Sequence, residues 1–216
     1  MSATLPFRIE YELDGWELFW ARLEIERDAP EELAEVRAEV AEAVKKRFSG
    51  TAELSSDPTV SALRRLFRAA GCDPTRYRPA SEALLRRLVK GEELPAIQPL
   101  VDLNNCLSAA LAVPCCVMVE GSFGRAMTLR SGWAGEAYES LRGPFNVEGK
   151  PLIADAEGPI DTPITGNQRV KVRDDTASAW LVAYLPAGVV SSAAAWEALD
   201  RLRRRTGIAA RWYAPL

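Results

Sequence analysis

Apolar and polar positions alternate through FRIEY (7–11) and WELFWARLEI (16–25), the period-two pattern of half-buried strands. Asp14-Gly15 between them predicts a hairpin turn. The period then lengthens. Leu33, Val36, Val40 and Val44 form one stripe at helical spacing, predicting a helix to about Phe48 with Gly50 beyond its end. Asp28 is the candidate cap, Pro30 falls in the first turn and Glu31 stands three residues after Asp28. Asp57-Pro58 opens a second helix, with Val60, Leu63, Leu66 and Phe67 on one face and Gly71 closing it. A third starts at Ser81-Glu82, turns Leu84, Leu85, Leu88 and Val89 inward and ends at Gly91. Pro95 and Pro99 lead into a fourth, QPLVDLNNCLSAALA, with Leu100, Leu103, Leu107 and Leu111 at helical spacing.

From Pro114 onward the pattern shortens again. CCVMV (115–119), RAMTLR (125–130), PLIAD (151–155), QRVKV (168–172) and SAWLVAYL (178–185) read as strands separated by Gly, Pro and Asp turns. Ser122-Phe123-Gly124, after Glu120-Gly121, reads as a hairpin turn, and GPIDTPITG (158–166) as a connecting loop. A last helix over 192–206 precedes a strand-like IAARWY. Helices gather in the first half and strands in the second, with strands at both ends. The expectation is an α+β fold, a mixed β-sheet packed against helices, in a single domain over 1–216.

Composition changes the picture at one point: there is no histidine among the 216 residues. That excludes a Ser-His-Asp triad, a Cys-His dyad and imidazole-ligated metal. Any reaction must run on carboxylates, thiols, amides, hydroxyls or the substrate itself. The four cysteines (Cys72, Cys106, Cys115, Cys116) form no C-x-x-C pair, so neither a metal nor a redox site is expected, and no cofactor. No basic segment followed by an apolar stretch opens the chain, and no run of apolar residues is long enough to span a bilayer. A reducing cytoplasm, with no membrane partner, is the expected setting.

The formal charge of −3 hides an asymmetry. Residues 1–60 carry 14 acidic and 7 basic side chains. Residues 64–90 carry Arg64, Arg65, Arg68, Arg76, Arg78, Arg86, Arg87 and Lys90 against Asp73 and Glu82. Arg201, Arg203, Arg204, Arg205 and Arg211 add a second basic group near the C-terminus. The arginines fit two roles: solvated helix faces pairing with the acidic N-terminal helix, or a local surface for phosphates.

Three segments carry candidate chemistry. Cys115-Cys116 opens a buried strand, where alternation points the thiols to opposite faces; they are either small core residues or, for one of them, a pocket wall. Asp102, Asn104 and Asn105 interrupt a leucine-rich helix, either to bond loop backbone or to hold a substrate or water. The 158–166 loop offers hydroxyls and a carboxylate. No phosphate-binding loop or dinucleotide fingerprint occurs.

The run YRPASEALLRRLVKGEELPAIQPLVDLNNCLSAALAVPCCVMV (77–119) resembles the tRNA-binding, aminoacyl-editing domain of the phenylalanyl-tRNA synthetase beta subunit. That family carries a Pro-x-x-x-Val-Asp-x-Thr-Asn-Tyr helix and then a Pro-led strand; Val101-Asp102-Leu103-Asn104-Asn105 and Pro114 stand in those places. The resemblance continues through Gly124-Arg125-Ala126, Gly135-Glu136, PLIADAEGPI with Asp155, and RVKVRDDTASAWLVAYL with Thr176, so that 77–185 is the best-matching core. The chain's length and the TRYRPASEALLRRL opening are similar to free-standing relatives of that domain. Three positions depart from the pattern. Asn104 replaces the family's Thr, Cys116 its His, and Asp161-Thr162-Pro163-Ile164-Thr165-Gly166 its Gly-rich loop.

The resemblance implies a mixed sheet packed with helices, and an activity of hydrolysing the ester that joins a wrong amino acid to its tRNA, here in trans. Asn105 and Asn104 would hold the water or carbonyl. Cys116, Asp161 and Thr162 would line the amino-acid pocket. Arg64, Arg65, Arg68, Arg76, Arg78, Arg86 and Arg87 would meet tRNA phosphates. The alternative keeps the fold without catalysis, as a module that binds tRNA, an amino acid or another small ligand. A third reading is an interaction module whose arginine faces meet an acidic protein.

Overall fold

The computed structural model describes residues 3–214, which form two stacked β-sheets with helices against the outer face of one. In chain order the elements are β1 (Ala3–Thr4), β2 (Arg8–Tyr11), β3 (Trp16–Ile25), α1 (Pro30–Arg47), α2 (Thr51–Ser56), α3 (Pro58–Ala69), α4 (Ala80–Val89), α5 (Pro99–Leu111), β4 (Cys115–Val119), β5 (Ala126–Ser131), β6 (Ala137–Ser140), β7 (Gly143–Asn146), β8 (Pro151–Asp155), β9 (Gly158–Asp161), a 3-10 turn (Gln168–Val170), β10 (Ser178–Pro186), α6 (Ser192–Arg203) and β11 (Ile208–Ala214).

The five-stranded sheet has the order β1-β11-β3-β10-β4, and the four-stranded sheet β2-β5-β8-β9. Each contains one parallel pair, β1 with β11 and β2 with β5, so both are mixed. The α+β expectation holds, with its strands divided between two sheets. β3 and β10 are central because they are apolar on both faces, the mark of a strand covered on both sides. On one side of the five-stranded sheet, Phe19, Ala21, Leu23, Leu181 and Leu185 meet Leu100, Leu103 and Leu107 of α5 and Leu199 of α6. On the other, Trp16, Leu18, Trp20, Val182 and Tyr184 meet Leu129, Ile153 and Ile160 of the second sheet and Phe67 of α3. Burying each such large side chain contributes about 2 kcal/mol. Helices α1 to α5 share a separate core of Val36, Val40, Val44, Leu54, Val60, Leu85 and Leu88.

Several local expectations fail for identifiable reasons. Asp14-Gly15 turns the chain, but β2 and β3 enter different sheets rather than pairing, because both edges of β3 are taken by β10 and β11. Asp28 does not cap α1; the N-cap is Ala29 without a side-chain bond, and Pro30 at the first helical position removes one of the orphan donors. Ser122-Phe123-Gly124 carries the chain between sheets, from β4 to β5, and is not a hairpin turn. Residues 168–172 hold a 3-10 turn and an isolated bridge from Lys171 to Met118 in place of a strand. Half of the supposed 158–166 loop is β9. The last helix stops at Arg203. Asp57 does cap α3, its Oδ1 accepting from Thr59 N at 2.9 Å and Val60 N at 3.2 Å.

Candidate functional site

Helix α5 is locked at its start. Gln98 Oε1 accepts from Leu100 N at 2.8 Å and Val101 N at 3.3 Å, while its Nε2 donates to Thr176 O at 3.1 Å. Asp102 Oδ1 accepts from Ile97 N at 2.8 Å, and its Oδ2 pairs with Arg37 of α1. Asp102 is therefore a clamp for the helix. At the other end Ala112 adopts a left-handed φ of 59°, and Ser108 Oγ donates to Val113 O at 2.8 Å. This fixes the turn into β4. With the leucines committed to the sheet, Asn104 and Asn105 fall on the flank facing the edge of β4. Asn104 Nδ2 donates to Cys115 O and to Asn105 Oδ1, each at 3.4 Å.

β4 is an edge strand, and across from it the chain returns through 161–174, touching it at the Met118–Lys171 bridge. Short of that bridge the strand edge is open. The opening is a cleft of about 610 Å³ between α5, the start of β4 and the 161–174 segment. Asn104, Asn105, Cys116, Asp161 and Thr162, the five residues predicted from sequence for catalysis and pocket, all line it. Exposed Ile97 and Leu141 stand at its rim, with solvent-facing Lys171 and Arg173.

Asp161 is fully buried at the end of β9. Its Oδ2 accepts from Tyr184 Oη of β10 at 2.6 Å, and its Oδ1 has no hydrogen-bond partner. Burial pushes this carboxyl up to about 7, against the opposing pull of the Tyr184 hydroxyl and, more weakly, of the Cys116 thiol and the Thr162 backbone N–H. Cys116 lies beside it, and burial, reinforced by the Asp161 charge, holds that thiol well above its usual range. Cys115 is raised too, by burial alone. Neither thiol is a thiolate nucleophile at neutral pH. Thr162 spends its hydroxyl within its own turn, accepting from Thr165 N at 3.1 Å and donating to Thr165 O at 2.9 Å. Tyr138 of the β6–β7 hairpin braces that turn through Thr162 Oγ1 at 3.1 Å and Thr165 O. Asn104 Oδ1 is a second buried acceptor without a partner.

The basic segment divides in two. Glu82, fully buried, takes Arg64 through both oxygens at 2.6 and 2.8 Å and Arg86 at 2.8 Å, with Arg78 at 3.9 Å. Burial alone would raise Glu82, but Arg64 and Arg86 overcome it and hold the carboxyl below its ordinary value. The guanidinium forks of Arg64 and Arg86 are thus engaged inside the fold. Arg65, Arg68, Arg76, Arg78 and Arg87 face solvent, Arg76 lying over the Tyr77 ring. The segment reaches the cleft directly, because Ala80 lines it and Ala80 N donates to Pro163 O at 2.8 Å. The predicted pairing with the acidic N-terminal helix is made by Arg205, which bridges Glu35 and Glu39. Asp155 is taken up by Arg169 at 2.9 Å and Gly124 N at 2.8 Å.

Sequence reasoning missed Tyr184, Tyr138, Gln98 and Gly166. Tyr184 reads as an ordinary aromatic of the 178–185 strand, Tyr138 falls in a stretch assigned to no element, and nothing local marks either as a partner of the 161–166 segment. Among the described residues no cluster of three potential metal ligands occurs, and no helix is long and apolar enough to cross a membrane.

A family model described as the B3/4 domain matches residues 62–206. Among solved structures, the chain is similar to an N-terminal fragment of the phenylalanyl-tRNA synthetase beta-subunit from Pyrococcus horikoshii, at 12% identity and a TM-score of 0.52. The match covers 100% of this chain and 53% of that one, so the chain spans about half the fragment and the likeness is one of fold. No curated protein matches the sequence.

Proposed function

The chain belongs to the B3/4 domain family, and on that premise we propose that it receives the aminoacylated end of a tRNA in the α5–β4 cleft and hydrolyses the ester in trans. The observation that carries this reading is the meeting of Asn104, Asn105, Cys116, Asp161 and Thr162 around one cleft, although they come from three separate stretches of sequence. An aminoacyl ester is already an activated acyl group, so positioning a water and stabilising the developing oxyanion suffice for cleavage. Asn105, half-buried on the flank of α5, offers its amide to the ester carbonyl, and Asn104 holds it in place, its Nδ2 donating to Asn105 Oδ1 at 3.4 Å. The protonated thiols leave Cys116 as a wall. A hydroxyl of the substrate's own ribose can relay the proton, as a histidine-free site requires. The whole chain acts as one cytoplasmic unit in this reading, with exposed Arg65, Arg68, Arg76, Arg78 and Arg87 meeting backbone phosphates beside the cleft.

The test is incubation of the purified protein with a panel of aminoacyl-tRNAs. The reading expects at least one to lose its amino acid faster than in buffer. Unchanged deacylation across the panel, with charged tRNA still bound, would leave a binding module in its place.

A further inference from the structure

Buried carboxylates in this fold come with an arginine. Asp57 has Arg47 at 2.6 Å, Glu82 has Arg64 and Arg86, Asp102 has Arg37, and Asp155 has Arg169. Among the described residues Asp161 is the exception: it is fully buried and has no cationic partner. The groups facing it are Tyr184 of β10, Cys116 of β4 and Tyr138 of β6, none of which carries positive charge. Lys171 and Arg173 of the same cleft point to solvent and make no ion pair with it.

Its environment also leaves one oxygen without a protein partner. Oδ1 has no hydrogen-bond partner in a residue that lines the cleft. Gly166 lies across from it, where a Cβ would stand 3.5 Å from that oxygen and 3.6 Å from Cys116 Sγ. Gly166 is not in the left-handed region, so no backbone requirement excludes a side chain there. Glycine leaves no side chain over Oδ1, although the oxygen itself is closed to solvent.

We infer that Asp161 Oδ1 is the receptor for an ammonium group of the ligand, which supplies the positive charge that arginine supplies to every other buried acid here. This rests on the cleft being the aminoacyl site, and it names what that site reads. The ammonium is either the α-amino group common to all aminoacyl esters or a side-chain amine. A divalent metal fits the site poorly, since it asks for several hard oxygen ligands and the cleft offers one carboxylate. An ammonium is satisfied by Oδ1 with help from neighbouring amide oxygens. Because burial keeps the carboxyl partly protonated near neutrality, taking up a cation expels that proton to solvent.

Calorimetry with three non-hydrolysable amides separates the cases: glycinamide carries only the α-ammonium, Nα-acetyl-lysinamide only the side-chain ammonium, and Nα-acetyl-glycinamide neither. At least one ammonium probe should bind at millimolar concentration, and the neutral amide more weakly by about tenfold or more. Titrations in buffers of different ionisation enthalpy should show proton release approaching one per ligand near pH 6 and vanishing well above pH 7. Asp161→Asn, which keeps an acceptor for Tyr184, and Gly166→Ala, whose methyl covers Oδ1 without altering its charge, should each weaken the probe by about tenfold or more. Equal binding of the neutral amide, no binding of either ammonium probe, or unchanged affinity in both variants would overturn the inference. None of these outcomes depends on ester cleavage, so a failed deacylation assay and a failed ammonium site are told apart.

Discussion

Tyr184 donates its phenolic proton to Asp161 Oδ2 at 2.6 Å, joining the centre of the five-stranded sheet to the last strand of the four-stranded one. The bond crosses the interface between the sheets, and it fixes the carboxyl at the bottom of the cleft with its other oxygen unused.

That arrangement makes stability depend on pH in a definite direction. The carboxyl is raised from 3.8 to about 7 by burial, so between those values the folded state holds a proton that the unfolded chain releases. Its contribution to stability is greatest in mild acid and declines as pH rises through this window, by up to about 4 kcal/mol. Asp161→Asn removes the titration and keeps an acceptor for Tyr184. Urea denaturation should show the wild type losing ground to the variant between about pH 4 and pH 7. A difference independent of pH would contradict the account.

Glu82 behaves in the opposite sense. Its two arginines hold it below the usual carboxylate value, so its stabilisation is present at neutral pH and disappears in acid. Glu82→Gln leaves Arg64 and Arg86 without a counter-charge and should cost about 3 kcal/mol at pH 7. Denaturation curves of the wild type and variant should converge as the pH falls through the carboxyl's own titration.

The arginines should sort by exposure. Alanine at Arg65, Arg68, Arg76 or Arg87 is expected to weaken tRNA binding and lower the salt slope by about one unit for each lost phosphate contact. Each should leave the melting temperature nearly unchanged. Arg64→Ala and Arg86→Ala should instead destabilise the fold, because they uncover Glu82. Filter binding across a salt series, beside melting curves, checks both halves.

Much of this was legible in the sequence. Helix α5 announced itself through Pro99, its leucine spacing and the intrusive polar trio, of which Asn104 and Asn105 line the cleft while Asp102 clamps the helix start. The convergence of 104–105, 116 and 161–162 rested on a family resemblance; periodicity alone could not bring those stretches together. What escaped was non-local or weakly patterned. The β6–β7 hairpin is four residues a side and half-exposed, so it leaves little alternation to read. Asp14-Gly15 is a turn by local chemistry, and only the coverage of β3 on both edges decides that its flanking strands part. The lone state of Asp161 is invisible without tertiary structure, because it consists of an arginine that is absent.

The central claim is that the α5–β4 cleft cleaves aminoacyl esters, and the most direct measurement compares single-turnover deacylation by the wild type and Asn105→Ala on one cleaved aminoacyl-tRNA. Asn105 is half-exposed, so the variant keeps the fold. Loss of a donor to the developing oxyanion should slow cleavage by about 100-fold while tRNA affinity changes little. Cleavage by Asn105→Ala at the wild-type rate would contradict the account.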